Sequence, residues 1–247
     1  MDLSNAEFER YNRQMLIDGW GLEAQTKLKA SKVAVVGIGG LGCLSSLYLA
    51  AAGVGRTILI DRNKSSLTDL NRQILYSPKD LGCFKAEVAR KRLEALNPEI
   101  TVKALVQDAT EGTLPDIIGD ANVVVDGLDN WKTRFMVNDY CVRKGIPFVH
   151  AGVQGFYGQL ITIVPREGPC LRCIFPKEPA EVEVVPVFGG TPAVLASLQV
   201  MEVIKLLTGI GKPLVGRMLF LDGEEMMFET AEIKRNPGCP ICATNNR

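Results

Sequence analysis

The sequence predicts an α/β fold of Rossmann type, a doubly wound and mainly parallel sheet with an antiparallel C-terminal extension. Three observations carry this expectation. Short apolar runs alternate with helix-length segments up to about residue 150; the first run leads directly into a glycine-rich turn; and after residue 150 the apolar residues alternate instead of running together.

The elements follow in order. Residues 7–30 are amphipathic, with Leu16, Ile17, Trp20 and Leu22 among polar residues, and read as helix, turn, helix. Val33-Ala34-Val35-Val36 is a continuous apolar run of the kind a buried parallel strand needs. It enters Gly37-Ile38-Gly39-Gly40-Leu41-Gly42, and Leu41 to Ala52 forms an Ala/Leu-rich helix stopped by Gly53 and Gly55. Thr57-Ile58-Leu59-Ile60 is the second strand and ends at Asp61. Further strands are expected at Val102 to Val106, Val123 to Val125 and Phe148-Val149, with helices at 85–96 and 130–144 between them. Gln159 to Val164 alternates like an antiparallel strand. The stretch from Pro176 to Pro192 holds four prolines and three glutamates and reads as a long exposed loop. A helix from Ala193 to Thr208 and strands near 217–222 and 226–233 complete the chain. With no repeat and no low-complexity linker, one domain over residues 1–247 is expected. Its parts are N-terminal helices (1–30), a nucleotide-binding half (31–150) and a partner-binding half (151–247).

Composition narrows the function classes. Lys plus Arg equal Asp plus Glu at 28 each, which argues against a protein that coats nucleic acid or an anionic membrane. The longest apolar runs are short and interrupted, so no membrane span is expected. The acidic, polar N-terminus lacks a signal-peptide core, and the cytoplasm is the expected compartment.

Gly37-x-Gly39-x-x-Gly42 between strand and helix lets backbone approach phosphates and aims amide N–H groups at them. Asp61, at the end of the second strand, stands where an acid accepts bonds from ribose hydroxyls. This fits ATP and NAD alike. Arg13, Arg72 and Lys85 favour ATP, because attack at an α-phosphate needs cations to neutralise the charge gathering on phosphate and pyrophosphate oxygens. Asp126 and Asp129 follow the Val123–Val125 strand at the same sheet edge, where a carboxylate can hold Mg²⁺. Cys170-Leu171-Arg172-Cys173 and Cys239-Pro240-Ile241-Cys242 supply four thiolates, which suits a closed tetrahedral Zn²⁺ site that clamps the C-terminal tail to the base of the long loop. Cys43 and Cys141 are expected to be packing residues, Cys83 a loop residue close to the phosphate site, and His150 a structural residue.

Taken together, Arg10-Tyr11-Asn12-Arg13-Gln14, the glycine turn, Asp61, Leu70-Asn71-Arg72-Gln73, Lys85 and Asp126-x-x-Asp129-Asn130 resemble the ThiF/MoeB/HesA adenylyltransferases in order and spacing. The resemblance runs from about Tyr11 to Cys242 and includes the zinc site. It implies nucleotide contacts from Gly37, Gly39, Gly40, Gly42, Asp61 and Asn71, phosphate binding by Arg72 and Lys85, and Mg²⁺ on Asp129. It also implies a homodimer in which Arg13 reaches the neighbouring subunit's phosphates. The substrate it implies is the C-terminal glycine carboxylate of a small ubiquitin-like sulfur-carrier protein ending in Gly-Gly, with a separate protein as sulfur donor. Two positions depart from the family pattern. Asn63 stands where a second Asp is common, and Thr68-Asp69 replace Ser-Asn. Asp69 would repel a phosphate unless it pairs with Arg72 or Mg²⁺. Residues 174–192 contain no cysteine, so adenylation without a covalent step in that loop is expected. The rival readings are adenylation of another carboxylate, an NAD-dependent oxidoreductase and a non-catalytic scaffold.

Overall fold

The computed structural model describes residues 2–180 and 184–243. Among these, eight strands form one sheet in the order β3-β2-β1-β4-β5-β6-β7-β8. Its strands are β1 (Lys32–Val36), β2 (Arg56–Ile60), β3 (Thr101–Leu105), β4 (Val123–Asp126), β5 (Phe148–Gln154), β6 (Tyr157–Ile163), β7 (Arg217–Asp222) and β8 (Met227–Glu232). The first five pair in parallel and the last three antiparallel, as the change of pattern near residue 150 predicts.

The helices are α1 (Asn5–Met15), α2 (Gly21–Ala30), α3 (Gly40–Ala52), α4 (Lys85–Leu96), α5 (Leu114–Ile118), α6 (Trp131–Lys144), α7 (Leu171–Ile174) and α8 (Gly190–Thr208). Alternate residues of each parallel strand feed two cores, one per face. Val33, Val35 and Leu59 pack with α3, α4 and α8, represented by Leu49, Leu93 and Leu195. Ala34, Val36, Ile58 and Ile60 pack with α5 and α6, represented by Ile117 and Phe135. Burial on both faces explains why these strands are apolar throughout.

Three sequence expectations change. Helix α5 was not foreseen, because five residues carry too little periodicity. Helix α8 starts at Gly190, so Pro192 lies in its first turn, where a missing N–H costs no hydrogen bond, and does not end the loop. Glu181 and Glu183 of the expected loop lie outside the described residues. Helix α8 is also, by length and hydropathy, apolar enough to cross a membrane, contrary to the reading of short apolar runs. Half of its apolar window is buried, and Leu195, Ala196, Val200 and Val203 join the core beside α3. It is the core helix of this sheet.

The parallel strands end together. Val36 stands opposite Ile60 on one side and Asp126 on the other, so the turn after β1, Asp61 after β2 and Gly127 after β4 meet at one edge. That edge is where doubly wound sheets bind ligands.

Candidate active site

Three glycines make that edge possible. Gly37 has φ +88°, and a Cβ there would stand 2.6 Å from the Gly127 carbonyl oxygen. A Cβ on Gly42 would meet the Gly37 carbonyl oxygen at 1.9 Å, and one on Gly127 would meet the same oxygen at 2.1 Å. Gly42, expected as a nucleotide contact, instead packs α3 against the Gly37 carbonyl, away from the cavity, and Gly127 is a third partner in that contact. Gly37, Gly39, Gly40 and Gly127 line the cavity, and Gly42 does not. Gly39 precedes α3 without a side-chain cap, so amides of its first turn are open to an anion.

The cavity holds about 1120 Å³. Asp61 lines it, with Oδ2 accepting from Ile38 N at 2.8 Å and Oδ1 from Asn63 N at 2.7 Å. Burial outweighs those two bonds and raises its pKa. Lys85, the first residue of α4, and Arg72 line the same wall. Asp129 is exposed into it and, among the described residues, is bonded only to its neighbour Asn130, whose Nδ2 donates to it at 3.3 Å. These four side chains, expected from separate stretches of sequence, are brought together.

Asp69 pairs with Lys85, Nζ to Oδ2, at 3.1 Å, and more loosely with Arg72 at 3.8 Å. The pairing with Arg72 is the one the sequence reading required if Asp69 was not to repel a phosphate; Lys85 was not foreseen as its main partner.

Asp126 is corrected. It does not face the cavity as a metal ligand. It is fully buried, with Oδ2 taking Arg134 Nε at 2.7 Å and His150 Nδ1 at 2.6 Å, and Oδ1 taking Leu128 N at 2.9 Å. Burial would raise its pKa, but Arg134 and the His150 bond outweigh that and hold it below the usual carboxylate range. Burial lowers His150 despite Asp126, so the ring is neutral and donates from Nδ1. Arg134 Nη2 also donates to the Leu128 carbonyl at 2.6 Å. The cluster thereby fixes the loop that carries Asp129. Arg134 was missed by sequence reasoning, although its place eight residues after an expected ligand offered a weak signal.

Two expected residues lie elsewhere. Asn71 does not line the cavity; its Oδ1 accepts from Arg72 Nη1 at 2.9 Å, so it orients Arg72. Arg13 is exposed on α1 and makes no ion pair or hydrogen bond among the described residues. Its motif neighbours are fastened: Tyr11 OH accepts from Asn97 at 2.8 Å, and Gln14 Nε2 donates to the Ala52 carbonyl at 2.8 Å. Cys83 is exposed and outside the cavity lining, whereas Cys43 and Cys141 are buried.

The sulfurs of Cys170, Cys173, Cys239 and Cys242 lie within 4.8 Å of one another. The Cys170–Cys239 and Cys173–Cys242 separations are 3.6 and 3.3 Å. Tetrahedral zinc with bonds of about 2.3 Å needs edges of roughly 3.8 Å, so the set fits that ion. Burial pushes the Cys170 thiol far up, and four thiolates can coexist here only around a cation.

With this geometry in hand, comparison with known proteins is direct. The ThiF family model matches residues 11–241. The chain belongs to the ThiF family. It is an adenylyltransferase by relatives so named: it is 42% identical to the sulfur carrier protein adenylyltransferase of Thermus thermophilus, over 98% of this chain and 93% of that protein. It is 39% identical to the sulfur carrier protein ThiS adenylyltransferase of Escherichia coli, over 99% and 98%. Among solved structures it is similar to ATP-bound E. coli MccB, with a TM-score of 0.84, 28% identity, and coverage of 97% of this chain and 75% of that one. The ThiF-family assignment removes the oxidoreductase reading.

His150 is the single histidine, which makes it testable. A histidine with a lowered folded pKa contributes stability above its unfolded value that is lost as pH falls below it. Stability is therefore expected to decline below about pH 6.5, with a slope approaching ~1.4 kcal/mol per pH unit. Denaturant melts across this range check the slope, and NMR of the folded protein should show imidazole signals that do not titrate near pH 6.5. A normal titration there would contradict the neutral, buried assignment.

Proposed function

We propose that this chain binds ATP at the glycine turn and adenylates the C-terminal glycine carboxylate of a small ubiquitin-like sulfur-carrier protein, releasing pyrophosphate. The observation that carries this reading is the continuity of the cavity. From Asp61, Arg72, Lys85 and Asp129 it continues along Gly152–Gln154 and Gly158 to Phe220 and Met227 on the antiparallel strands. An extended protein tail laid over those strands ends beside the phosphates. Pro179, Val184, Val185 and Val187 of the loop before α8 form another wall of the same cavity. Phe188 instead stacks on Phe156, centroids 5.2 Å apart, and Val187 bridges to Gly155, which fastens the loop over the β5–β6 turn.

The chemistry asks for little beyond position and charge. The attacking carboxylate is already ionised, so no base is needed. Asp61 takes the ribose hydroxyls, and the first-turn amides of α3 meet the phosphates. Arg72 and Lys85 gather the charge that builds up on the α-phosphate and pyrophosphate oxygens. Asp129, which has no ion pair among the described residues, is the carboxylate that would hold Mg²⁺; the ion would neutralise phosphate charge. Asp126 keeps the Asp129 loop in register through Arg134. A sulfur donor supplied by a separate protein then attacks the acyl carbon and displaces AMP, in the cytoplasm. Residues 174–192 contain no cysteine, which supports adenylation without a covalent step on that loop.

A homodimer completes the reading. Arg13 is exposed and has no partner among the described residues, and next to α1 Leu16 and Ile17 are 73% and 52% exposed. A second copy covering this surface places Arg13 at the neighbouring cavity. The likeness to MccB, solved with MccA, favours a second reading in which a short peptide supplies the carboxylate.

Two outcomes are expected. In ATP–pyrophosphate exchange, a carrier ending in Gly-Gly supports turnover, and Arg72→Ala or Asp129→Ala lowers it by about a hundredfold or more without loss of the dimer. Full activity in either variant contradicts these roles, and turnover with a short peptide but no carrier selects the second reading. Mixing inactive Arg13→Ala and Arg72→Ala proteins under subunit exchange restores up to about a quarter of wild-type activity, since half of the dimers then hold one intact site. No recovery on mixing places both arginines in one chain's site.

A further inference from the structure

Asp69 stands between the two cations that the proposed reaction uses. Its distances to Lys85 Nζ and Arg72 Nη2 are 3.1 and 3.8 Å. The carboxylate is held rigidly. Oδ2 also accepts from Ser66 N and Ser66 Oγ, both at 2.9 Å, which closes a capping box on the short turn Leu67–Asp69. Oδ1 accepts from Gln73 Nε2 at 2.8 Å. Gln73 is buried and its Oε1 has no partner among the described residues, so the amide is turned by its bond to Asp69. Burial would raise the Asp69 pKa, but the Ser66 and Lys85 bonds outweigh it, and the group is an anion at neutral pH.

A carboxylate fixed by Ser66 and Gln73 cannot swing aside when a polyphosphate arrives. Both Asp69 and Lys85 are 7% exposed, so water screens their attraction weakly. Any phosphate oxygen that engages Lys85 shares it with this anion. We propose that Asp69 is a resident counter-ion of the phosphate subsite: it presets Lys85 and Arg72 and holds down affinity for the triphosphate and for departing pyrophosphate. The consequence is a site that is ordered before nucleotide arrives and releases pyrophosphate readily. An asparagine in the same place keeps the shape and an acceptor oxygen while removing the charge.

This inference rests on the ATP reading above, and its test separates the two. Calorimetric titration of the full chain with Mg·ATP, inorganic pyrophosphate and AMP compares wild type with Asp69→Asn. The variant is expected to bind ATP and pyrophosphate about fivefold to tenfold more tightly, and AMP by a clearly smaller factor, because AMP brings fewer phosphate oxygens and less charge to Lys85 and Arg72. Asp69→Ser retains a capping hydroxyl and serves in the same way if the asparagine variant does not fold. Unchanged or weaker ATP binding, in a variant whose thermal unfolding matches wild type, overturns the counter-ion role. Equal tightening toward AMP overturns it too. A wild-type chain that binds neither ATP nor pyrophosphate overturns the adenylation reading along with this inference.

Discussion

Everything at the functional edge depends on how closely α3 approaches the ends of β1 and β4. Gly37, Gly42 and Gly127 touch through backbone atoms alone, with no room for a methyl group at any of the three. Because they touch, the first turn of α3 opens onto the cavity between Asp61 and the Asp129 loop. A single Cβ in that contact would push the helix off the sheet and separate the amides from the acid. The parallel register of β1 with β2 and β4 then sets how far Asp61 and Asp129 stand from the turn.

The charged groups divide into two layers. Asp126, Arg134 and His150 are buried beneath the loop, neutral in sum, and hold its backbone. Asp61, Arg72, Lys85 and Asp129 line the cavity. Two aspartates three residues apart thus take different tasks because one points into the core and the other into the cavity. Asn71 and Gln73 each act on a neighbour: Asn71 accepts from Arg72 away from the cavity, and Gln73, which lines it, donates to Asp69. The four cysteines stand apart from this chemistry, on the sheet face packed with α6, where they tie the C-terminal turn to α7.

Much of this was legible in the sequence because it is local. A run of four buried residues, a glycine turn and an acid closing the next run are all read within 25 or so residues, where backbone sterics leave few alternatives. The helix expected at about 85–96 is α4, Lys85–Leu96. What was not legible depends on contacts between elements. The Asp126–His150 bond joins two strands, and nothing in either local pattern distinguishes an inward carboxylate from an outward one. Gly127 looks like any glycine after a strand until Gly37 is seen beside it. Asp69 could be recognised as an acceptor among cations, but its principal partner Lys85 lies on another element. Pro192 misled for a physical reason: proline breaks helices inside but fits their first turn.

The account's central claim is that one cavity joins nucleotide to the end of a protein tail. Intact-mass spectrometry of a Gly-Gly-ending carrier, incubated with this protein, ATP and Mg²⁺ and quenched in acid, tests it most directly. The account predicts a carrier heavier by one AMP, with the modification on its terminal carboxylate, and no adduct on a carrier lacking the last glycine. ATP bound or hydrolysed with no AMP on the intact carrier, or equal labelling of the truncated one, would contradict it.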